Sequence, residues 1–496
     1  MGIMNFHLPP ALADDVRREL ERASVTGGQD NMPYPTEAAV ERNRLTLRRS
    51  VDESGNLQTP WRIADFGQML ASTATLMERD AAYPLAIELA RGKVNQVRTQ
   101  AAEWTLGGLL IPPALDDNIK SATRAFSRTL MARDEPGADA LAEDALALAW
   151  QAGHQLVQTY VQTVLAIRQE RQTKLETLLS CRLEAGEPEV ADTPQFLQSF
   201  NAVTIPFSWR AIEPSSGRYA WDEADRLLNW ALSKGLTVIG GPLIDFGGRN
   251  LPDWLWDQAT DLHTTSMLLA GFADQVVRRY HTRIRTWQVT GGSNCAGVLA
   301  QRDEELIWLT LRIANAVRRV HPGLDLIVGL AQPWGDYLAE QDRSKTPFIF
   351  ADDLLRTGIK LAAIDLELVM GISPRGSYCR DILDASRLLD LYALLGVPIQ
   401  ATLAYPSNSA LPANGDPNQK ANLGYWRDGY SEAGQAEWGE AWASLALCKP
   451  FVRTVQWSHW TDALPHAFPS CGLLNEQGRA KQSLRPLTAL RAAYLK

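Results

Sequence analysis

Residues 200–256 read FNAVTIPFSWRAIEPSSGRYAWDEADRLLNWALSKGLTVIGGPLIDFGGRNLPDWLW, and the fold follows from this stretch. Residues 200–207 are a short run of apolar and β-branched residues, as in a buried strand. Residues 222–234 are amphipathic at helical spacing, and 236–245 is a second apolar run. Strand, helix, strand in about 45 residues is one β/α repeat with a parallel neighbour.

The same alternation extends in both directions. Short apolar strands are expected at 178–184, 200–207, 236–245, 284–291, 324–332, 361–371, 397–405 and 452–460. Amphipathic segments lie between most of them, at 222–234, 266–281, 304–320, 380–395 and 433–447. Eight repeats in about 320 residues is the count and length of a (β/α)8 barrel. The expected fold is therefore α/β, a TIM barrel, preceded by an N-terminal mixed α+β domain and a long connecting helix. In such barrels the site lies at the C-terminal ends of the strands. That rule nominates Glu184, Ser208, Asp245, Ser293, Asn294, Gln332, Glu367, Thr402, Ser458, His459 and Asp462.

The region before the barrel divides into 1–135, a mixed accessory domain, and 136–175, the connecting helix, with the barrel at 176–496. Residues 45–51 and 59–63 flank the turn-forming DESGN and are expected to pair as a hairpin. Residues 85–104 are expected to be helical despite Gly92, and 116–133 form a second helix after Pro112-Pro113. From Ala138, apolar residues recur every three or four positions: Leu141, Ala145, Leu148, Ala152, Leu156, Tyr160, Val164 and Ile167. They form one stripe on a helix running to about Lys174 that packs the N-terminal region onto the barrel.

The chain has 496 residues, 45% of them hydrophobic, and a net charge of −8. That balance argues against nucleic acid or an anionic membrane surface as a partner. No run of about 18 apolar residues is present to span a bilayer. The five cysteines (Cys181, Cys295, Cys379, Cys448, Cys471) are widely spaced, which favours reduced thiols. With no signal-peptide pattern at the N-terminus, a cytoplasmic location is expected. The 16 tryptophans suit a carbohydrate ligand, because sugar C–H faces stack on indoles, although most tryptophans serve in cores.

Specific motifs go further. Phe200-Asn201-Ala202-Val203-Thr204 leads to Trp209, Glu213-Pro214, Gly217, Trp221, Asp225 and Trp230-Ala231. Gly235-Leu236, Leu251-Pro252 with Trp254, and Trp287 with Val289 follow. The chain closes with Trp457, Trp460-Thr461-Asp462, Gly472-Leu473-Leu474 and Lys481. In order and spacing these resemble the family 10 glycoside hydrolases, the xylanases, over roughly residues 176–496. The resemblance implies a (β/α)8 barrel of clan A type, a poly- or oligosaccharide ligand, and tryptophans roofing the sugar site.

It also implies two catalytic glutamates, at the ends of strands four and seven. This chain has Gly292 and Thr402 there. The sugar-holding residues after strand two are replaced by Ile205-Pro206-Phe207-Ser208, and strand three ends in Asp245-Phe246 instead of Trp-His. A glycosidase needs two carboxyl groups, about 5–5.5 Å apart for retention or about 6.5–9.5 Å for inversion. Glu367, on strand six, and Asp245, at the end of strand three, are the candidates for a relocated pair. Glu184 and Asp462 are weaker, and a barrel-wall ion pair of Asp365 and Glu367 with Arg375 or Arg380 is the structural alternative.

Expected substrate-binding residues are Trp209, Asn294, Trp334, Trp426, Trp457, His459, Trp460 and Asp462. The polar segment 408–426 after strand seven is expected to be a long cleft-shaping loop. A zinc site drawn from Cys181, Cys295, Cys379, Cys471, His459 and His466 lacks any paired spacing, so no metal and no cofactor is expected. No Gly-x-Ser-x-Gly elbow or phosphate-binding loop is present. The expected function is a glycoside hydrolase with a non-standard carboxylate pair. The alternatives are a silent carbohydrate-binding relative and a scaffold protein carrying a relic barrel.

Overall fold

The computed structural model describes residues 2–10, 12–28, 30–183, 186–247, 250–295, 301–341 and 343–496. Glu184 lies outside them. Eight parallel strands close into a barrel: Leu178–Arg182, Ala202–Ile205, Thr237–Gly240, Thr286–Gly291, Asp325–Ala331, Ala363–Val369, Ile399–Ala404 and Val452–Trp457. Each pairs with its sequence neighbour, the eighth pairs with the first, and the third pairs with the fourth to complete the ring. The third strand is interrupted at Gly241-Pro242, where proline has no N–H to give the ladder. It resumes as Ile244–Asp245, with Asp245 opposite Gly291 on strand four.

The helices match the amphipathic segments closely. They span Asp222–Ser233, Leu262–Tyr280, Asp303–Val320, Pro347–Arg356, Ile382–Ala393 and Glu432–Cys448, with Leu484–Tyr494 closing the chain. Their apolar faces pack on the strands and form one continuous core with the N-terminal region.

The long helix runs Ala138–Arg171. It packs on helices Leu85–Leu106 and Pro113–Met131 on one side and on Ile382–Ala393 and Glu432–Cys448 of the barrel on the other. Contact on two sides widens and turns its buried sector. Leu146, Ala149, Trp150, Gly153, Val157 and Val161 are buried, while Leu141, Leu148 and Ile167 of the expected stripe are exposed.

The expected hairpin does not form. Arg44–Arg49 pairs with Gly2–His7 and Thr36–Glu41 in one sheet, whereas Asn56–Ile63 pairs with Ser24–Gly27 and Gly67–Ser72 in another. The DESGN segment is a crossover between two sheets. Local turn chemistry was overruled by the pairing partners each strand finds elsewhere in the chain.

The segment after strand seven is likewise not a free loop. Lys420–Leu423 pairs with Gly371–Ser373 of the loop after strand six, and Tyr425–Trp426 adds an edge strand to the N-terminal sheet through Gly67 and Gln68. Further bonds bind the N-terminal sheet to the same rim. The Leu70 amide donates to the Cys379 carbonyl over 2.7 Å, and the Cys379 amide donates to Leu423 over 2.9 Å. Arg380 reaches Gln58 at 3.0 Å, and Asp30 bonds Thr346. The N-terminal unit is therefore fastened to the loops after strands five, six and seven, on the face where barrel sites lie. No described helix is long and apolar enough to cross a membrane.

Candidate functional site

The barrel interior is polar at mid-height. Gln288 donates to Asp365 over 3.0 Å and Thr402 donates to Asp365 over 2.6 Å. Gln456 donates to Thr402 over 3.0 Å, and Thr204 donates to Gln456. Burial raises the Asp365 carboxyl above its usual range, opposed by Arg182 and these donors. Thr402 is thus fully engaged as a structural hydroxyl.

One turn of strand above this layer, Asp245 and Glu367 converge on Arg375. The guanidinium Nη1 and Nη2 lie 3.3 and 3.2 Å from the two Asp245 oxygens, and Nη2 lies 3.9 Å from Glu367 Oε2. Sharing one nitrogen caps the separation of the nearest carboxylate oxygens at about 7 Å. Strands three and six are separated by two others, so the pairing is made by side-chain reach across the barrel mouth.

Five loops meet at Arg375, its own after strand six and four others. Its guanidinium lies against the Gly247 backbone, where a Cβ would sit 2.4 Å from Cζ. Phe468 faces it at 5.6 Å, the Gln419 side chain accepts from its amide over 3.3 Å, and Gln332 donates to the Pro374 carbonyl. Sequence reasoning had Arg375 only as a possible structural partner. Its central position comes from a crossing of loops that no local pattern signals.

The two carboxyl groups differ in environment. Asp245 accepts from the Gly247 amide over 2.8 Å besides its ion pair. Glu367 is only 4% exposed, and its Oε2 has no hydrogen-bond partner. Burial pushes the Glu367 carboxyl up to about 7; Arg375 pulls it down and the Asp245 charge pushes it up further. A carboxyl group half-protonated near neutrality beside an ion-paired one is the arrangement an acid–base pair needs.

The resemblance motifs do structural work. Glu213 accepts from Trp209 Nε1 over 2.7 Å and from the Gly217 amide over 2.7 Å, while Trp254 Nε1 donates to the Glu213 carbonyl over 2.9 Å. Gly217 has φ +76°, open to glycine without strain. Trp209 stacks on Phe272 at 4.8 Å, away from the mouth. Asn294 is tied to the Ala331 backbone by two 2.9 Å bonds.

The other tryptophans are also packed on protein. Trp334 lies against Trp442 and Arg380, and Trp426 lies near His154 and Arg427. Trp457 Nε1 donates to the Cys471 carbonyl over 2.8 Å, and Trp460 meets Phe196 edge-on at 5.1 Å. All four are buried. The expectation of an open aromatic cleft is not met by these four tryptophans, and at the mouth Arg375 keeps 16% of its side chain exposed.

His459 and Asp462, also expected at the site, sit instead in a buried cluster behind the rim. Asp462 accepts from Lys481, from His459 Nε2 over 3.1 Å and from the Gly472 amide over 2.8 Å. Burial would raise the Asp462 carboxyl, but these donors overcome it and hold it low. Burial pushes His459 down to about 3, so its ring is neutral.

The sequence profile of glycosyl hydrolase family 10 matches residues 172–292, the first four strands. Endo-1,4-beta-xylanase C of Paenibacillus barcinonensis is 24% identical over 247 residues, which covers 44% of this chain and 21% of that protein. This chain thus spans about a fifth of that relative. Endo-1,4-beta-xylanase B of Thermotoga neapolitana is 24% identical over 276 residues, 53% of this chain and 71% of its own length. Among solved structures, native xylanase 10B of Thermotoga maritima aligns with a TM-score of 0.48 at 15% identity, covering 65% of this chain and 97% of that one. The closed ring of strands and the profile match agree, and the chain carries a glycosyl hydrolase family 10-like, xylanase-like (β/α)8 barrel.

Proposed function

We propose that the barrel is a carbohydrate-active domain that cleaves a glycosidic bond with Glu367 and Asp245 in place of the family's glutamates. The observation that carries this is the strand register. Asp245 pairs with Gly291, beside the strand-four position held by Gly292, and Glu367 pairs with Thr402, the strand-seven position. Each carboxyl group has moved by one strand in the same direction, so the pair still faces across the mouth. Gly292 has left-handed φ +59°, and a Cβ there would meet Ala331 Cβ at 3.8 Å and the Gly247 amide at 3.9 Å, ordinary van der Waals contact.

In this reading Glu367, protonated near neutral pH, gives its proton to the glycosidic oxygen. Asp245 either activates water or attacks the anomeric carbon, according to whether the working separation is the wider or the narrower of the two classes. The Arg375 side chain must swing aside to admit a sugar, and it then steadies the Asp245 charge.

A second reading rests on the same guanidinium. A buried Arg neutralising both carboxylates fills the mouth, and the barrel then serves binding or scaffolding without turnover.

Turnover of a panel of aryl glycosides and oligosaccharides, wild type beside Glu367→Gln, separates them. Activity falling at least about 100-fold in the variant is expected, since such groups contribute about 10²–10⁴-fold. No turnover of any substrate by the wild type would sink the hydrolase assignment.

A further inference from the structure

We propose that His459, Asp462 and His466 form a divalent-metal site of the zinc class, pinning the loop after strand eight to the barrel wall. Among the described residues they are the group of three ligating side chains whose donor atoms all lie within 4.8 Å of one another. His459 Nε2 is 3.1 Å and His466 Nε2 is 3.9 Å from Asp462 Oδ1. Zinc binds nitrogen and oxygen ligands at about 2.0–2.2 Å. Donor atoms bound to one ion at those lengths are themselves about 3–4 Å apart, and the His459 and His466 rings, stacked at 4.6 Å and 17°, must turn toward a common point to reach it.

The independent observation is His466. It is fully buried, and its Nε2 has no hydrogen-bond partner. Its Nδ1 lies 2.8 Å from the Leu464 carbonyl, which can only accept, so Nδ1 carries a proton and Nε2 is the nitrogen left facing the cluster. A buried imidazole nitrogen with no donor facing it is costly unless something occupies the lone pair. Backbone-carbonyl capture of the remote ring nitrogen is how metal-binding histidines are oriented.

The neighbours are consistent with the same role. His459 Nδ1 faces Ser458 Oγ at 3.2 Å, so moving its one ring proton to that nitrogen frees Nε2 as a ligand without proton release. Lys481 bonds the other Asp462 oxygen, Oδ2, and is also held by Ser407 Oγ at 2.9 Å and the Ser470 carbonyl at 3.0 Å. It therefore orients the carboxylate, while Oδ1 accepts from the Gly472 amide over 2.8 Å and turns its other lone pair toward the histidines. Two histidines and one carboxylate favour zinc or cobalt over calcium or magnesium, which take all-oxygen sites. Pro465, next to His466, lines a surface pocket with Pro206, Ser208 and Ile212.

The test uses the full chain, stripped with a chelator and titrated with Zn²⁺ and with Co²⁺, whose visible bands report nitrogen ligation. One equivalent is expected to bind, with a rise in thermal midpoint. Affinity should fall more than about 100-fold in His466→Asn and in His459→Asn, since even supporting residues cost 10–100-fold. Circular dichroism and the metal-free midpoint establish that each variant is folded. His281→Asn, at the surface, should bind as the wild type does. Absence of binding to the wild type, or equal binding by folded His466→Asn, overturns the assignment. Neither result bears on Glu367 and Asp245.

Discussion

Replacing Glu367 with Gln should stabilise the protein, and by an amount that depends on pH in a defined direction. Burial raises this carboxyl from 4.5 to about 7 in the folded chain. Below 4.5 the folded and unfolded chains both hold the proton, and the group has no differential effect. Between 4.5 and 7 the unfolded chain releases it while the folded chain keeps it, so stability falls as pH rises. Above 7 the penalty is complete. Two and a half pH units at about 1.4 kcal/mol each come to about 3 kcal/mol. With only 4% exposure, solvent screening removes little of this.

Gln has the shape of the protonated acid and cannot ionise. Urea denaturation of both proteins at pH 4.5 and 8.5 should give nearly equal stabilities at the lower pH and a variant about 3 kcal/mol more stable at the higher. Other groups titrate alike in both proteins and cancel. A difference constant across pH, or one favouring the wild type at pH 8.5, would refute the argument that Glu367 is held protonated by its surroundings. A gain in stability with a loss of turnover is the pattern of a group retained for chemistry.

Removing the cation at the same site should do the opposite. Arg375→Met leaves Asp245 and Glu367 buried without their common partner and should cost about 3–5 kcal/mol, more at pH 8 than at pH 5, because Glu367 ionises only at the higher pH; urea melts at the two values check this. On the N-terminal side, Lys93 is buried and ion-paired with Asp381, which also caps the Ile382–Ala393 helix by accepting from the Asp384 amide over 2.8 Å. Lys93→Met should cost a similar 3–5 kcal/mol and speed hydrogen exchange in that helix. Gly67 has φ +100°, and a Cβ there would lie 2.3 Å from the Tyr425 carbonyl. Gly67→Ala should cost at least about 1–3 kcal/mol and remove exchange protection from residues 425–426, detaching the strand that joins the barrel to the N-terminal sheet; unchanged protection would count against that link.

The barrel was legible because its signal is local and repeated. Each strand and helix carries its own periodicity, and a parallel strand after a helix has few places to go. The motif residues were legible too, since Glu213 with Trp209, Gly217 and Trp254 makes a latch from neighbours in sequence and one nearby loop. Asp245 and Glu367 were nominated by the rule that strand ends carry the site.

What the linear order could not settle is which partners lie across space. The DESGN turn looked like a hairpin because turn propensity is local, yet sheet membership depends on strands as distant as Gly2 is from Arg49. Residues 420–426 looked like loop because they are polar, yet they pair with two distant strands. Arg375, 130 residues from Asp245, became the hub of the mouth only once five loops had converged on it. Local periodicity specifies elements, whereas the charge balance at a buried site is set by long-range contacts that exist only after the chain has closed.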